Sequence, residues 1–350
     1  MRSVHHFFRY FAYKNKRPFI ISEIGTNHRG SFKRAVKMVI ESAEAGADAV
    51  KFQMFDPEQL VHDNAKVFDS ENRKSQRELY RRLTLTEDQY RKLFRLARRL
   101  DVAFFASCWD EHHVDFLDGL GAPFFKIGSG DLTHFPLIRY IASKRKPIIL
   151  STGLSTVGEI GKAISMIRHE GNDEIALLYC VSNYPTHLRD INLNSIQHLS
   201  KKFNLSVGYS DHTINMGAVI AAVMKGAAII EKHYTLNKQG KSDFGINNDI
   251  SMDYADLKNL ADFCANLQYI LGKKEKKVGV SELKNRSLVR RGIYAKKEIR
   301  MGQKITLDDI IFLRPETGMS AQDYRDVLKM TAIRPIKKGA VISRDVIKKS

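Results

Sequence analysis

Phe19-Ile-Ile-Ser-Glu-Ile-Gly25, then the amphipathic stretch from Ser31 to Ala45, then Ala49-Val-Lys-Phe-Gln53, reads as one strand-helix-strand unit. In the middle stretch Ala35, Val36, Val39, Ile40 and Ala43 recur at helical spacing behind an N-cap serine, Ser31. The flanking runs are short and almost wholly apolar, as parallel strands covered on both faces are. The same alternation continues along the chain. Further runs stand at Ala103-Phe-Phe-Ala-Ser-Cys108, Phe124-Phe-Lys-Ile-Gly-Ser129, Pro147-Ile-Ile-Leu-Ser-Thr152 and Ile175-Ala-Leu-Leu-Tyr-Cys180. Val207-Gly-Tyr-Ser-Asp-His212 and Ile229-Ile-Glu-Lys-His-Tyr-Thr235 complete a set of eight. Helical patterns lie between them, opened by Thr86-Glu-Asp88, by the capping box Thr156-Val-Gly-Glu159 and by Asp253. Eight strands alternating with helices over roughly 250 residues predict a (β/α)8 TIM barrel. The alternative is a doubly wound open sheet. Its dinucleotide-binding form is disfavoured, because no G-x-G-x-x-G follows the first strand.

The expected barrel spans residues 18–271, behind an N-terminal arm at residues 1–17 whose apolar stretch is too short and broken for a secretory leader. Residues 272–286 read as a linker, beginning with the charged Gly272-Lys-Lys-Glu-Lys-Lys-Val-Gly279. Residues 287–350 read as a small β-rich module. Within it Lys297-Glu-Ile-Arg-Met-Gly-Gln-Lys-Ile-Thr306 resembles Arg334-Pro-Ile-Lys-Lys-Gly-Ala-Val-Ile-Ser343, which predicts internal pseudo-symmetry.

The 350 residues are 43% hydrophobic and 27% charged, an ordinary balance for a soluble protein with a sizeable core. No apolar run reaches the ~18 residues of a membrane span. The three cysteines, Cys108, Cys180 and Cys264, lack metal-ligand spacing and suit reduced thiols in the cytoplasm. The net charge is +18. The basic residues are spread over helix faces, without an aromatic-basic module, so nucleic acid is not the expected partner. A positive field that draws in anionic metabolites is the milder inference.

Barrel enzymes build their sites at the C-terminal ends of the strands. Here each apolar run ends in polar chemistry. The first strands offer Glu23, Lys51 and Gln53, then Ser107 and Cys108. Lys126, Ser129, Ser151 and Thr152 follow, then Ser182, Asn183 and Tyr184. Ser210, Asp211 and His212 end the seventh run, and Glu231, His233 and Tyr234 the eighth. Eight such endings in register are hard to ascribe to packing, since unpartnered buried polar groups are costly. Lys51 and Lys126 lie inside apolar strands that have no edge to escape to, so both are expected to face an anion. Ser129, Ser151 and Ser210 would complete its cradle. His212 and His233 end neighbouring strands, with Glu231 on the same side as His233, and suit a divalent transition metal. The rival is a Schiff-base barrel, with Lys51 or Lys126 as nucleophile.

Several phrases together resemble the sialic acid synthase family. They are Ser22-Glu-Ile-Gly-Thr-Asn-His28, Val50-Lys-Phe-Gln53, Lys126-Ile-Gly-Ser-Gly130, Ile149-Leu-Ser-Thr-Gly153, Tyr184-Pro-Thr186, Gly208-Tyr-Ser-Asp-His-Thr213 and Glu231-Lys-His-Tyr-Thr235. Arg290-Arg-Gly-Ile-Tyr294, Ile299-Arg-Met-Gly302 and Leu313-Arg-Pro315 resemble that family's C-terminal antifreeze-like (SAF, β-clip) domain. The resemblance implies an N-acetylneuraminate synthase-type transferase. Phosphoenolpyruvate (PEP) would condense with the aldehyde of an N-acetylated amino sugar of the N-acetylmannosamine type, giving a nine-carbon 2-keto sugar acid and phosphate. It also implies Mn2+ (or Mg2+) on His212 and His233, and a domain-swapped homodimer. By the same resemblance Lys51, Lys126, Ser129, Ser151, Ser182 and Ser210 would bind PEP. Glu23, Gln53, Tyr184 and Asp243 would contact the sugar, with Arg314 arriving from a second subunit. Glu23, Lys51 and Glu231 are the expected catalytic groups, with Glu231 assisting the added water.

Two departures from the family pattern stand out. Cys108 replaces a threonine that touches phosphate, and Gln239-Gly-Lys-Ser-Asp243 replaces a Pro-Gly loop. A legionaminic or pseudaminic acid synthase, using a 2,4-diacetamido-trideoxyhexose, is the neighbouring reading. A non-catalytic carbohydrate- or ice-binding protein is the reading from another class.

Overall fold

A computed structural model describes residues 17–62, 65, 75–239 and 248–349. Apart from Arg17, the expected arm lies outside the described residues, and so does Asp243. The chain divides into two compact units, Met1–Gly272 and Lys273–Ser350.

The first unit is a closed barrel of eight parallel strands in sequential order. They are β1 (Phe19–Gly25), β2 (Ala49–Met54), β3 (Ala103–Cys108), β4 (Phe125–Ile127), β5 (Ile148–Ser151), β6 (Ile175–Cys180), β7 (Ser206–Asp211) and β8 (Ile229–His233). The helices that follow them in turn are α1 (Phe32–Glu44), α2 (Glu87–Arg99), α3 (Glu111–Leu120), α4 (Phe135–Ser143), α5 (Val157–His169), α6 (Asn194–Phe203), α7 (Gly217–Met224) and α8 (Tyr254–Leu271). The open-sheet alternative is thereby excluded. The caps fall where the sequence places them: Ser31 accepts from Arg34 N–H, and Thr86, Thr156 and Asp253 each close a capping box.

Two differences are instructive. Helix α1 buries Ala35, Met38, Val39 and Ser42, a face turned slightly from the expected apolar set. Ser42 can sit inside because its hydroxyl meets that of Ser22 at 2.7 Å. Strand β4 stops at Ile127, and Ser129–Asp131 turn into a 3-10 helix, so Ser129 stands on a loop rather than a strand.

Strand alternation sorts the core into two layers. Outward side chains such as Ile20, Val50, Phe104, Leu150 and Ile230 pack against the helices. Inward ones form a separate plug: Phe19, Ile21, Ala49, Phe105, Phe124, Ile149, Ala176, Leu178 and Ile229. Above this apolar plug the inward positions become polar, which places the site at the C-terminal mouth. Gly208 belongs to the inward set. A Cβ there would lie 2.4 Å from the Ile229 carbonyl oxygen, so only glycine lets β7 and β8 approach.

The second unit pairs β9 (Gly292–Ala295) with β10 (Ile310–Leu313), and β11 (Met330–Ala332) with β12 (Ile347–Lys349), both antiparallel. The two similar phrases meet each other: Ile299 and Ile336 exchange backbone hydrogen bonds of 2.9 and 2.8 Å. Their glycines, Gly302 and Gly339, both turn at positive φ (77° and 81°). The following Ile305 and Ile342 are both buried. Val280–Val289 form helix α9, which starts in the expected linker, runs past its expected end at residue 286, and is exposed along its whole length. Among the described residues no helix is long and apolar enough to cross a membrane.

Candidate active site

One inward step above the plug lies a ring of polar side chains. Glu23 is registered between Lys51 on β2 and His233 on β8. Ser107 pairs in register with Lys126, and Ser210 with Glu231. Glu23, Lys51, Lys126, Ser151, Ser210 and Glu231 are all buried. Lys51 Nζ lies 2.7 Å from Glu23 Oε2, 3.9 Å from Glu231 Oε1, and donates to Ser107 Oγ at 3.4 Å. Lys126 Nζ donates to Ser151 Oγ at 2.7 Å and lies 3.6 Å from Glu231 Oε1. Ser210 donates to that same Glu231 oxygen at 3.2 Å, while Glu231 Oε2 is buried without a hydrogen-bond partner. Gln53 donates its amide to Glu23 Oε1 at 3.0 Å.

Two ammonium groups and two carboxylates in a buried ring cannot all keep ordinary pKa values. Burial pushes Glu23 up, only partly answered by Lys51, to about 7. Burial also works against ionisation of Glu231, but Lys126 and Lys51 outweigh it and hold that carboxyl below its ordinary value. Burial lowers Lys126. At Lys51 the two carboxylates overcome burial and raise the pKa. Lys51 is thereby held cationic and Glu231 ionised, with the Lys126 amine beside them, a setting that receives an anion.

The remaining serines stand on loops beside this ring. Ser129 Oγ accepts from Gly153 N–H at 3.1 Å and lies 3.2 Å from Cys180 Sγ. A Cβ placed on Gly153 would meet Ser182 Oγ at 2.3 Å and Ser129 Oγ at 2.8 Å, so these hydroxyls converge over one glycine. The expected anion-binding residues are thus brought together.

Cys108 is a correction. Strand alternation turns it outward, where its thiol meets the His113 carbonyl at 3.4 Å and packs among the barrel's outer core. Ser107 is the side chain of β3 that faces inward, within reach of Lys51.

His212 and His233 stand with ring centroids 5.5 Å apart, and Tyr184 lies against His212 at 4.2 Å and His233 at 6.2 Å. His212 Nδ1 hydrogen-bonds the Val181 carbonyl oxygen at 2.8 Å, which fixes the proton on that nitrogen and leaves Nε2 as a lone-pair donor. Burial lowers the pKa of both rings, keeping them neutral as metal ligation requires. Among the described residues no group of three or more His, Cys, Asp or Glu converges to hold a metal ion. The two neutral imidazoles are the side chains that would hold such an ion. Asn27 and His28, polar residues after β1, serve the loop instead. Asn27 donates to the Tyr234 carbonyl at 2.8 Å, and His28 Nδ1 accepts from Gly30 N–H at 3.1 Å. Arg314 lies exposed in the second unit, directly after β10.

Cys180 is the inward residue that reading the phrases missed. Ala176 and Leu178 line the plug, so the same parity two residues on would have pointed to Cys180.

Residues 38–276 match the profile of the NeuB family, and residues 290–347 that of the SAF domain. An N,N'-diacetyllegionaminic acid synthase of Legionella pneumophila is 38% identical over 319 residues, 89% of either chain. A pseudaminic acid synthase of Helicobacter pylori is 32% identical, covering 95% of this chain and 98% of its own. Among solved structures, the N-acetylneuraminic acid synthetase of Leptospira borgpetersenii, crystallised with citrate, superimposes with a TM-score of 0.67 at 32% identity. It covers 77% of this chain and 90% of that one.

Proposed function

We propose that this chain, which belongs to the NeuB family and carries a C-terminal SAF domain, condenses PEP with the open-chain aldehyde of an N-acetylated amino sugar. The products are a nine-carbon 2-keto sugar acid and inorganic phosphate. The observation that carries this reading is the buried pair Lys51 and Lys126, joined by inward serines and set beside two neutral imidazoles. A dianionic substrate would displace the lysines' internal contacts and take their charge. Lys126 is engaged by Ser151 and faces Glu231, contacts that a bound anion would replace.

In this reading the residues fall into two groups. Lys51, Lys126, Ser129, Ser151, Ser182 and Ser210 hold PEP, and Glu23, Gln53 and Tyr184 border the space for the sugar. C3 of PEP attacks the aldehyde carbon, forming the new C–C bond; the aldehyde π pair moves to its oxygen, which takes up a proton to become a hydroxyl, and positive charge is left at C2. Water adds at C2, and phosphate leaves with the C2–O bond broken. Glu231, which has one carboxylate oxygen unpartnered, would take the proton from that water. Mn2+ or Mg2+ held by His212 and His233 would supply Lewis-acid polarisation of the aldehyde oxygen. Clamping both reactants removes much of the entropic barrier.

The finer reading is a cytoplasmic, domain-swapped homodimer in which Arg314 reaches the sugar site of a second subunit. N-acetylmannosamine is the first sugar to test. A 2,4-diacetamido-trideoxyhexose is the second, favoured by the 38% identity to a legionaminic acid synthase. Protein incubated with PEP, Mn2+ and each sugar should release phosphate, and the product mass identifies the acceptor. Silence with every such sugar overturns the reading. Arg314→Ala should raise KM for the sugar; a rise confined to PEP would contradict its placement.

A further inference from the structure

The inward ring carries one side chain that the proposed chemistry has not used. Strand β6 contributes Ala176, Leu178 and Cys180 to the barrel interior, and Cys180 stands at the level where other strands place lysine, serine or glutamate. Its Sγ is 3.2 Å from Ser129 Oγ. A Cβ on Gly153 would lie 3.0 Å from that sulfur, as well as against Ser182 and Ser129, so thiol and two hydroxyls close around one bare glycine. Such convergence is not packing for its own sake. An apolar side chain on β6 would fill the same inward position and leave no polar atom to satisfy.

The geometry points to Cys180 as a positioning residue of the phosphate cradle: its thiol holds the Ser129 hydroxyl in the orientation that presents its proton to the bound anion. This inference rests on the reading of the ring as a PEP site. The hydrogen-bond accounting supports it. Ser129 Oγ already accepts the Gly153 N–H at 3.1 Å. One lone pair and one proton remain on that hydroxyl. Once the proton goes to an anion oxygen, Cys180 can keep its contact only by donating S–H to the remaining lone pair. The thiol thus acts as a protonated donor, and Ser129 is held from two sides while it donates to the ligand. Without the thiol only the Gly153 N–H holds Ser129, and PEP must complete its ordering on binding.

The test is direct binding of PEP, measured by calorimetry without sugar, on wild type, Cys180→Ala and Cys180→Ser. Loss of one modest hydrogen bond predicts PEP affinity about three- to tenfold weaker in Cys180→Ala. Serine, a hydroxyl donor at the same place, should recover most of it. In turnover, KM for PEP should rise in Cys180→Ala while KM for the sugar stays put. Equal PEP affinity in wild type and Cys180→Ala overturns the inference. So does an equal loss for PEP and sugar, which would mean general loosening of the barrel mouth. If wild type itself takes up no PEP, the reading of the ring falls first and the inference with it. An independent readout is modification by a small thiol reagent such as methyl methanethiosulfonate, followed by peptide mass analysis. Inorganic phosphate should slow labelling of Cys180 and leave labelling of Cys108 and Cys264 unchanged. Labelling of Cys180 at the same rate with and without phosphate would contradict its place in the cradle.

Discussion

Glu23 sits where three demands meet: Lys51 beside it at 2.7 Å, the Gln53 amide at 3.0 Å, and His233 on the neighbouring strand. Burial raises its pKa to about 7 from the ordinary 4.5. The folded state therefore holds a proton between those values that the unfolded chain has lost, and stability contributed by Glu23 declines as pH rises through that window. Glu23→Gln removes the titration. Its stability relative to wild type should improve from pH 5 to pH 8, by at most about 3 kcal/mol, as followed by urea unfolding at each pH. A pH-independent difference would show that Glu23 ionises normally. The imidazoles make a second prediction. Removing either ring leaves a single nitrogen donor, and even partners of metal ligands are worth about 10- to 100-fold. His212→Ala and His233→Ala should each cost more than about 100-fold in Mn2+-stimulated turnover. Unchanged rates in both variants, with chelator still inhibiting, would remove the metal from these two residues.

Two glycines divide the labour of the strands. Gly208 lies within β7, and an added Cβ would strike the Ile229 carbonyl oxygen at 2.4 Å and the Ile229 Cβ at 2.6 Å. Backbone must move to admit it, so Gly208→Ala should destabilise the barrel by about 1–3 kcal/mol or more, measured as a lowered urea midpoint. Gly153 follows β5, and the three atoms nearest its Cβ would all belong to side chains, those of Ser182, Ser129 and Cys180. Gly153→Ala should spare stability by comparison and lose PEP binding; the opposite pattern would mean that the hydroxyl cup is structural. The strands and their polar endings were legible in the sequence because apolar runs and capping boxes are local signals. Which residue of an ending faces inward was less so. Ser107 and Cys108 are adjacent, and strand parity gives the lumen to the first and the outer core to the second. The turn that ends β4 before Ser129 has no local signature, since Lys126-Ile-Gly-Ser129 reads equally as a continuing strand. Helix α9 was hidden for another reason: none of its residues is buried, so no periodic buried face marks it.

At the scale of the whole chain the pairing of a barrel with a SAF domain was readable, because the motifs of both run in order along the sequence. The net charge of +18 was not absorbed by any motif. Much of the surface charge is neutralised locally: Arg91 pairs with Glu87, Lys92 with Asp88, Lys144 with Asp115 and Lys146 with Asp118. Such exposed pairs add little to stability, but they leave the long-range field to the unmatched excess. That field favours an anionic substrate over a neutral one, and salt removes it. From about 0.01 M to about 1 M salt the screening length shrinks from about 30 Å to about 3 Å. Buried contacts to Lys51 and Lys126 are screened much less than the approach to them. KM for PEP should therefore rise several-fold over that range, while KM for an uncharged amino sugar stays nearly constant. Parallel increases for both substrates would mean that salt perturbs the fold or the assembly. A flat response for PEP would assign the charge excess to something other than drawing this substrate in.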